Sequence, residues 1–199
     1  MNKKLYYSEE EFLQPENMLK LYSRGAFPMA DDDGKINWYF PDIRTVIPLD
    51  NYNLPRSLRK YMGKTNFRIK TDTSYLEVIK NCAAREKTWI SEKLITAYKR
   101  LFSINHLHSI EVWQDDKLVG GLYGITFKGA FFGESMFSKV TQASKIALIK
   151  LIEHLIEKKF VLLDVQYQTP HLKMFGAVEI SFIEYYELLL KSYKVECEF

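Results

Sequence analysis

The chain predicts an α+β fold, a mixed and mainly antiparallel sheet splayed open around a cleft, with a smaller α+β unit ahead of it. Three observations carry this. From His108 to Phe137 apolar residues recur with period two and are broken by two tight turns, the pattern of a three-stranded antiparallel meander. Ala143, Ala147, Leu148, Leu151, Ile152, Leu155 and Ile156 then recur with helical period. Phe160-Val161-Leu162-Leu163-Asp164-Val165-Gln166 follows as a short run apolar on both faces, which suits an internal strand.

The elements follow in order. Gln14-Pro15-Glu16-Asn17 opens a helix whose stripe is Met18, Leu19 and Tyr22, and Gly25 stops it. Ile36–Phe40 and Thr45–Ile47 read as strands, ended by Pro41 and Pro48. Residues 1–50 thus form a small unit with too little core to stand alone, packed against residues 51–199. Arg56, Arg59 and Lys60 share one helix face within a basic stretch that continues to Lys64, Arg68 and Lys70, with no acid between Asp50 and Asp72. Tyr75–Ala84 is helical, and Ser91 caps a helix to Phe102. The meander strands begin at Ser109, Leu118 and Ala130, and the long helix spans Ala143–Lys158. Ser181 with Glu184 forms a capping box for a last helix through Leu190, and Tyr193–Phe199 reads as a returning strand.

Composition narrows the function. Apolar residues at 47% and charged residues at 27% exclude disordered and fibrous classes. Cys82 and Cys197 lie far apart, so reduced thiols rather than a disulfide framework are expected. The opening residues lack an apolar signal segment, and no run approaches a membrane span, so a soluble cytoplasmic protein is expected. A net charge of +3 does not by itself announce a nucleic-acid binder. The 13 Phe, 13 Tyr and 3 Trp, however, offer many flat surfaces for a base or ring.

Several polar residues interrupt apolar strands. Asp164 and Gln166 alternate onto one face, either as a buried acid serving local hydrogen bonds or as a polar pair on a cleft floor that handles a proton. Glu134 is a second acid among apolar neighbours, with Gly133 beside it. Gly120, Gly121 and Gly124 do not form a dinucleotide fingerprint, and no GxxxxGK(S/T) sequence occurs. Ser135 lacks the second glycine of a nucleophile elbow. His106 and His108 share a strand face, but two ligands are too few for a closed zinc site, so no metal is expected.

A set of motifs in fixed order resembles the bacterial leucyl/phenylalanyl-tRNA–protein transferase family. They are Arg24-Gly25-Ala26-Phe27-Pro28-Met29, Trp38-Tyr39-Phe40-Pro41-Asp42-Ile43-Arg44, Thr88-Trp89-Ile90 and His108-Ser109-Ile110-Glu111-Val112-Trp113. Val119-Gly120-Gly121-Leu122-Tyr123-Gly124, Gly133-Glu134-Ser135-Met136-Phe137-Ser138, Ala143-Ser144-Lys145, Asp164-Val165-Gln166, His171-Leu172 and Gly176-Ala177 complete the set. The resemblance implies a small N-terminal domain and an acetyltransferase-like (GNAT) catalytic domain. It implies transfer of Leu or Phe, and of Met, from aminoacyl-tRNA to the α-amine of proteins beginning with Arg or Lys, which marks them for proteolysis. Asp164, Gln166 and Glu134 are then catalytic, and Leu122, Gly133, Ser135, Met136, Leu151, Leu155 and Leu163 bind the transferred residue. Arg56, Arg59, Lys60 and Lys64 meet the tRNA acceptor stem, while Tyr22, Trp89 and Tyr98 lie near the 3′ end. Aminoacyl-tRNA is a substrate, no cofactor is implied, and a monomer is expected. The sequence departs from the family pattern at Met29, Met174 and Phe182, positions that bear on stacking, the Gly-Ala loop and protein-substrate preference.

Two rival readings fit parts of the sequence. A CoA-dependent N-acyltransferase of the same fold needs a glycine-rich loop into a helix, and Ser138-Lys139-Val140-Thr141-Gln142-Ala143 has no glycine. A non-catalytic RNA-binding module leaves Asp164 and Gln166 without a task.

Overall fold

Proline at the first helical position lacks only an amide that a helix start leaves unpaired, and the first long helix begins at Pro15. The computed structural model describes residues 8–199; residues 1–7, part of the opening read as lacking a signal segment, lie outside them. A capped turn α1 (Glu9–Phe12) precedes α2 (Pro15–Tyr22), then a hairpin of β1 (Phe27–Ala30) and β2 (Ile36–Tyr39). Next come β3 (Ile43–Val46), α3 (Arg56–Met62), β4 (Arg68–Thr71), α4 (Tyr75–Ala83) and α5 (Glu92–Ser103). The meander is β5 (Leu107–Gln114), β6 (Lys117–Phe127) and β7 (Ala130–Ser138). The chain closes with α6 (Ala143–Glu157), β8 (Leu162–Gln166), α7 (Pro170–Lys173), β9 (Val178–Ser181) and α8 (Phe182–Ser192).

Seven strands form one sheet in the order β4-β5-β6-β7-β8-β3-β9. Every neighbouring pair is antiparallel except β7 and β8, which α6 links as a parallel pair. This is the α+β architecture with a mixed, mainly antiparallel sheet that the periodicities predict, and β8 is internal as its apolar faces require. β3 lies within this sheet between β8 and β9, while β1 and β2 stand apart as a two-stranded sheet.

Two apolar layers cover the sheet. On one face α6 lays Ile146, Ala147, Ile149, Leu151 and Ile152 against Ile110, Val112, Leu122 and Leu163. Gly120 permits that approach, because a Cβ there would stand 2.5 Å from the Cβ of Ala143. On the other face α2, α4 and α5 bury Met18, Tyr22, Val78, Leu94 and Tyr98 against Tyr123, Ile125 and Phe132. Ser91 caps α5 and Ser181 with Glu184 closes the capping box of α8, as predicted. At α4 the cap comes from elsewhere: Glu111, buried on β5, accepts from the Ser74 amide and the Thr73 hydroxyl.

The chain end departs from expectation. Residues 193–199 form no strand; the last strand is β9, ahead of α8, and it already occupies the place beside β3. The alternating apolar residues of the tail serve burial instead, and Phe199 stacks on His108 with ring centroids 4.3 Å apart and on Phe131 at 5.5 Å. Both histidines weighed as ligands use a ring nitrogen locally, His106 with the Thr126 carbonyl and His108 with Asp72. Among the described residues no helix is long and apolar enough to cross a membrane.

Candidate active site

The parallel pair is short. β7 and β8 match only from Ala130 with Leu162 to Phe132 with Asp164. Past that point β7 runs on through Gly133–Ser138 and β8 stops at Gln166, so the sheet opens into a cavity of about 330 Å³. The cavity draws on both faces of the sheet. Leu122, Met136, Leu148, Leu151 and Leu163 make an apolar end beneath α6, and Arg85, Trp89, Glu134, Ser135 and Gln166 make a polar end on the opposite side.

Glu134 is the centre of the polar end. It is buried, and three donors converge on it: the Tyr22 hydroxyl at 3.0 Å, the Tyr98 hydroxyl at 2.8 Å and the Gln166 amide nitrogen at 3.1 Å. Burial pushes its carboxyl up to about 7, against the pull of Tyr98 and Tyr22. Desolvation and the adjacent Glu134 charge both raise the two phenols, which therefore remain donors. Gln166 has φ +66°, a left-handed conformation that costs a non-glycine residue roughly 1–3 kcal/mol unless the surroundings impose it. Its amide nitrogen faces Glu134, which leaves its carbonyl oxygen for the cavity.

What imposes that conformation is Asp164. One carboxylate oxygen accepts from the Gln166 backbone amide at 2.8 Å and from Arg44 Nε at 2.9 Å; the other accepts from Arg44 Nη2 at 2.6 Å and the Tyr185 hydroxyl at 2.9 Å. Arg44 and Asp164 have no accessible surface. The guanidinium also donates to the Gly25 carbonyl at 2.8 Å and lies between the Phe27 and Tyr185 rings, 4.6 and 4.7 Å from their centroids. Burial alone would lower the Arg44 pKa; the Asp164 carboxylate outweighs it and raises the value. Gly25, at φ +86°, lies against the Tyr185 ring with no room for a Cβ. Asp164 sits behind the cavity wall and touches the lining through Gln166.

The structure brings together most of the residues singled out from sequence. Leu122, Gly133, Glu134, Ser135, Met136, Leu151, Leu163, Gln166 and Trp89 line one cavity. Leu155 is buried one helical turn beyond it, and Leu148 takes part in the lining instead. Tyr22 and Tyr98 are wholly buried, with their hydroxyls on Glu134, so neither presents a ring face to the cavity. Arg56, Arg59, Lys60 and Lys64 are exposed on and just after α3, away from the cavity. Arg44 was not singled out. Its signal was a lone cation in a short apolar strand, Ile43-Arg44-Thr45-Val46-Ile47, facing a chain that has a lone acid in another. Among the described residues, no group of three or more His, Cys, Asp and Glu is placed to hold a metal ion.

At the start of α6 the Ser144 amide is engaged. Ser138 Oγ accepts from the Ser144 amide at 3.1 Å and donates to the Val140 carbonyl.

Residues 46–190 match the family model of leucyl/phenylalanyl-tRNA protein transferase, and residues 13–42 match that of its N-terminal domain. A leucyl/phenylalanyl-tRNA–protein transferase of Herpetosiphon aurantiacus is 45% identical over 188 residues, which cover 94% of this chain and 98% of that relative. Among solved structures, L-PGS from Bacillus licheniformis superposes with a TM-score of 0.44 at 12% identity, covering 75% of this chain and 49% of the other. AAC(6')-Iy, solved with the bisubstrate analogue CoA-S-monomethyl-acetylneamine, gives 0.39 at 14% identity, covering 53% and 82%.

Proposed function

The chain belongs to the leucyl/phenylalanyl-tRNA–protein transferase family, and from that premise we propose how the cleft of this aminoacyltransferase carries out the transfer. The aminoacyl side chain enters the apolar end among Leu122, Met136, Leu148, Leu151 and Leu163. Burial of a Leu or Phe side chain there contributes roughly 1.5–3 kcal/mol. A pocket that senses only apolar shape discriminates one methylene by about 1–3 kcal/mol, so Met is accepted as well. The ester carbonyl then lies where the apolar end meets Glu134 and Gln166.

The acceptor is the α-amine of a protein beginning with Arg or Lys. The Gln166 carbonyl oxygen accepts a hydrogen bond from an N–H of that amine and turns its lone pair toward the ester carbon. Glu134 holds the amine from the other side. The C–N bond forms, the ester C–O bond to the terminal ribose breaks, and the proton lost by the amine ends on the departing ribose oxygen. An amide side chain is a weak base, so Gln166 orients rather than deprotonates. Asp164 and Arg44 are positioning residues that keep Gln166 in its left-handed conformation. Trp89 stacks on the terminal adenosine, a contact worth about 1–3 kcal/mol, and the α3 cations meet acceptor-stem phosphates. The product carries a new N-terminal residue that directs it to proteolysis.

The single observation that carries this reading is the buried Gln166–Glu134 hydrogen bond where the polar end of the cavity meets its apolar end. The rival CoA chemistry fits less well, because the passage into α6 has no glycine and its Ser144 amide is already engaged by Ser138. The test is incubation of labelled leucyl-tRNA with a peptide beginning with Arg, with and without CoA. Label should pass to the peptide in both, and should be lost when the peptide amine is acetylated. Labelling that needs CoA, or none at all, would overturn the reading.

A further inference from the structure

A second groove adjoins the active cleft. It has a volume of about 460 Å³ and shares Arg85, Met136 and His171 with the cleft as common lining. Its remaining polar lining is Asn81, Ser138, Lys139 and Ser144, with no carboxylate among them. Among the described residues neither Arg85 nor Lys139 takes part in an ion pair. Arg85 donates to the Met136 carbonyl and, at 3.5 Å, to the Ser135 hydroxyl, which holds the guanidinium at the junction of the two cavities. The Lys139 ammonium rests 5.8 Å from the Phe137 ring centroid. Two cations without counter-charge in a concave site raise the local concentration of an anion.

A third cation lies close to the groove. Lys145, one residue past the groove wall, is near enough that it, together with burial, lowers the pKa of His171. Ile146 and Lys150 of α6 meet Met62 and Gly63, where α3 ends. Lys150 is paired with Glu153, so the positive charge beside the groove rests on Arg85, Lys139 and Lys145. An acceptor protein with a cationic N-terminus is repelled by such a cluster, and a polyanion is drawn to it.

We infer that the groove between Arg85 and Lys139 is a phosphodiester subsite, which holds the RNA phosphate joining the terminal nucleoside to its 5′ neighbour. This rests on the transfer reading above. With the nucleoside against Trp89, which shares a short loop with Arg85, the chain leaves the cleft at this junction. The subsite reads charge and not sequence, and it sets the direction in which the RNA approaches.

Two measurements test it. The first compares the leucyl esters of adenosine and of cytidylyl-3′,5′-adenosine as donors to one Arg-starting peptide. The dinucleotide ester should have the higher kcat/KM by about tenfold, the scale of one charge-assisted hydrogen bond. In Lys139→Ala that ratio should fall toward one, and Lys139→Arg should restore it. The second measurement needs no transfer: binding of unacylated CCA trinucleotide is followed by tryptophan fluorescence against salt. The slope of log K against log salt should flatten by about 0.7 in Lys139→Ala, the value for one phosphate on a single strand. A wild-type ratio of one, or a ratio and slope unmoved by Lys139→Ala, would overturn the inference. So would a Lys139→Ala loss that depends on acidic residues in the peptide rather than on the RNA phosphate, which would give the groove to the acceptor protein. Absence of transfer from both esters with the slope change intact would count against the transfer reading alone and leave the subsite standing.

Discussion

Replacing Arg44 with Met isolates what the buried ion pair does. Methionine fills part of the space between Phe27 and Tyr185 but carries no charge, so Asp164 would keep only the Tyr185 hydroxyl and the Gln166 amide as donors. Three hydrogen bonds from Arg44 to the carboxylate and one to the Gly25 carbonyl would be lost. Removing one partner of a buried pair costs about 3–5 kcal/mol, because the remaining charge is stranded away from water. That is a large share of the roughly 5–15 kcal/mol that separates folded from unfolded chains. For a protein of this size it corresponds to a fall of about 6–20 °C in Tm. Thermal unfolding of wild type, Arg44→Met, Asp164→Asn and the double variant closes the cycle. The double variant should be more stable than the sum of the two single losses implies, since neither charge is then left alone. At a temperature where Arg44→Met is still folded, leucyl transfer should fall at least about tenfold while CCA binding is retained, because only the Gln166 carbonyl has lost its support. A Tm change under about 2 °C, or strictly additive losses, would refute the reasoning.

Three further outcomes follow from the same geometry. The folded Glu134 carboxyl, at about 7 against an ordinary 4.5, holds a proton that the unfolded chain gives up, so the stability it contributes is present below about 4.5 and lost as pH rises through about 7. Glu134→Gln should therefore flatten the pH dependence of the unfolding free energy from urea titration over that window by about 1.4 kcal/mol per pH unit, and should remove any rise in transfer rate centred near pH 7; an unchanged profile in both would dismiss Glu134 as the titrating group. A Cβ at Gly133 would meet only the Asp164 carbonyl at 3.4 Å and Val165 at 3.8 Å, so Gly133→Ala should fold normally while narrowing the cavity. Transfer of Phe should fall about tenfold relative to Leu, and an unchanged ratio would take Gly133 out of the side-chain pocket. Arg56→Ala with Lys60→Ala should weaken binding of full-length tRNA and flatten its salt slope by about 1–2, with kcat for bound tRNA preserved; an unmoved slope would leave α3 without contact to RNA.

Much of this protein is written in one dimension. Period two from Leu107 to Ser138 and the helical stripe of α6 are local patterns, and a chain with those patterns buries them in one way. The caps at Ser91 and Ser181 are local as well, since donor and acceptor lie three residues apart. Asp164, Gln166 and Glu134 stood out for an equally simple reason, because a polar side chain in an apolar strand must find partners or pay for its desolvation.

Which partners they find is decided only when distant strands meet. Arg44 reaches Asp164 across 120 residues because β3 settles beside β8, and no spacing in the chain encodes that neighbour. The same assembly turns Tyr22 and Tyr98 inward as donors to Glu134, places Asp164 behind Gln166, and stops the cavity at Leu151 rather than Leu155. It also gives the place beside β3 to β9 and leaves the tail to pack Phe199 on His108. Periodicity settles which face of an element is buried. The depth of a cavity, and which charge answers which, depend on where two elements far apart in sequence come to rest.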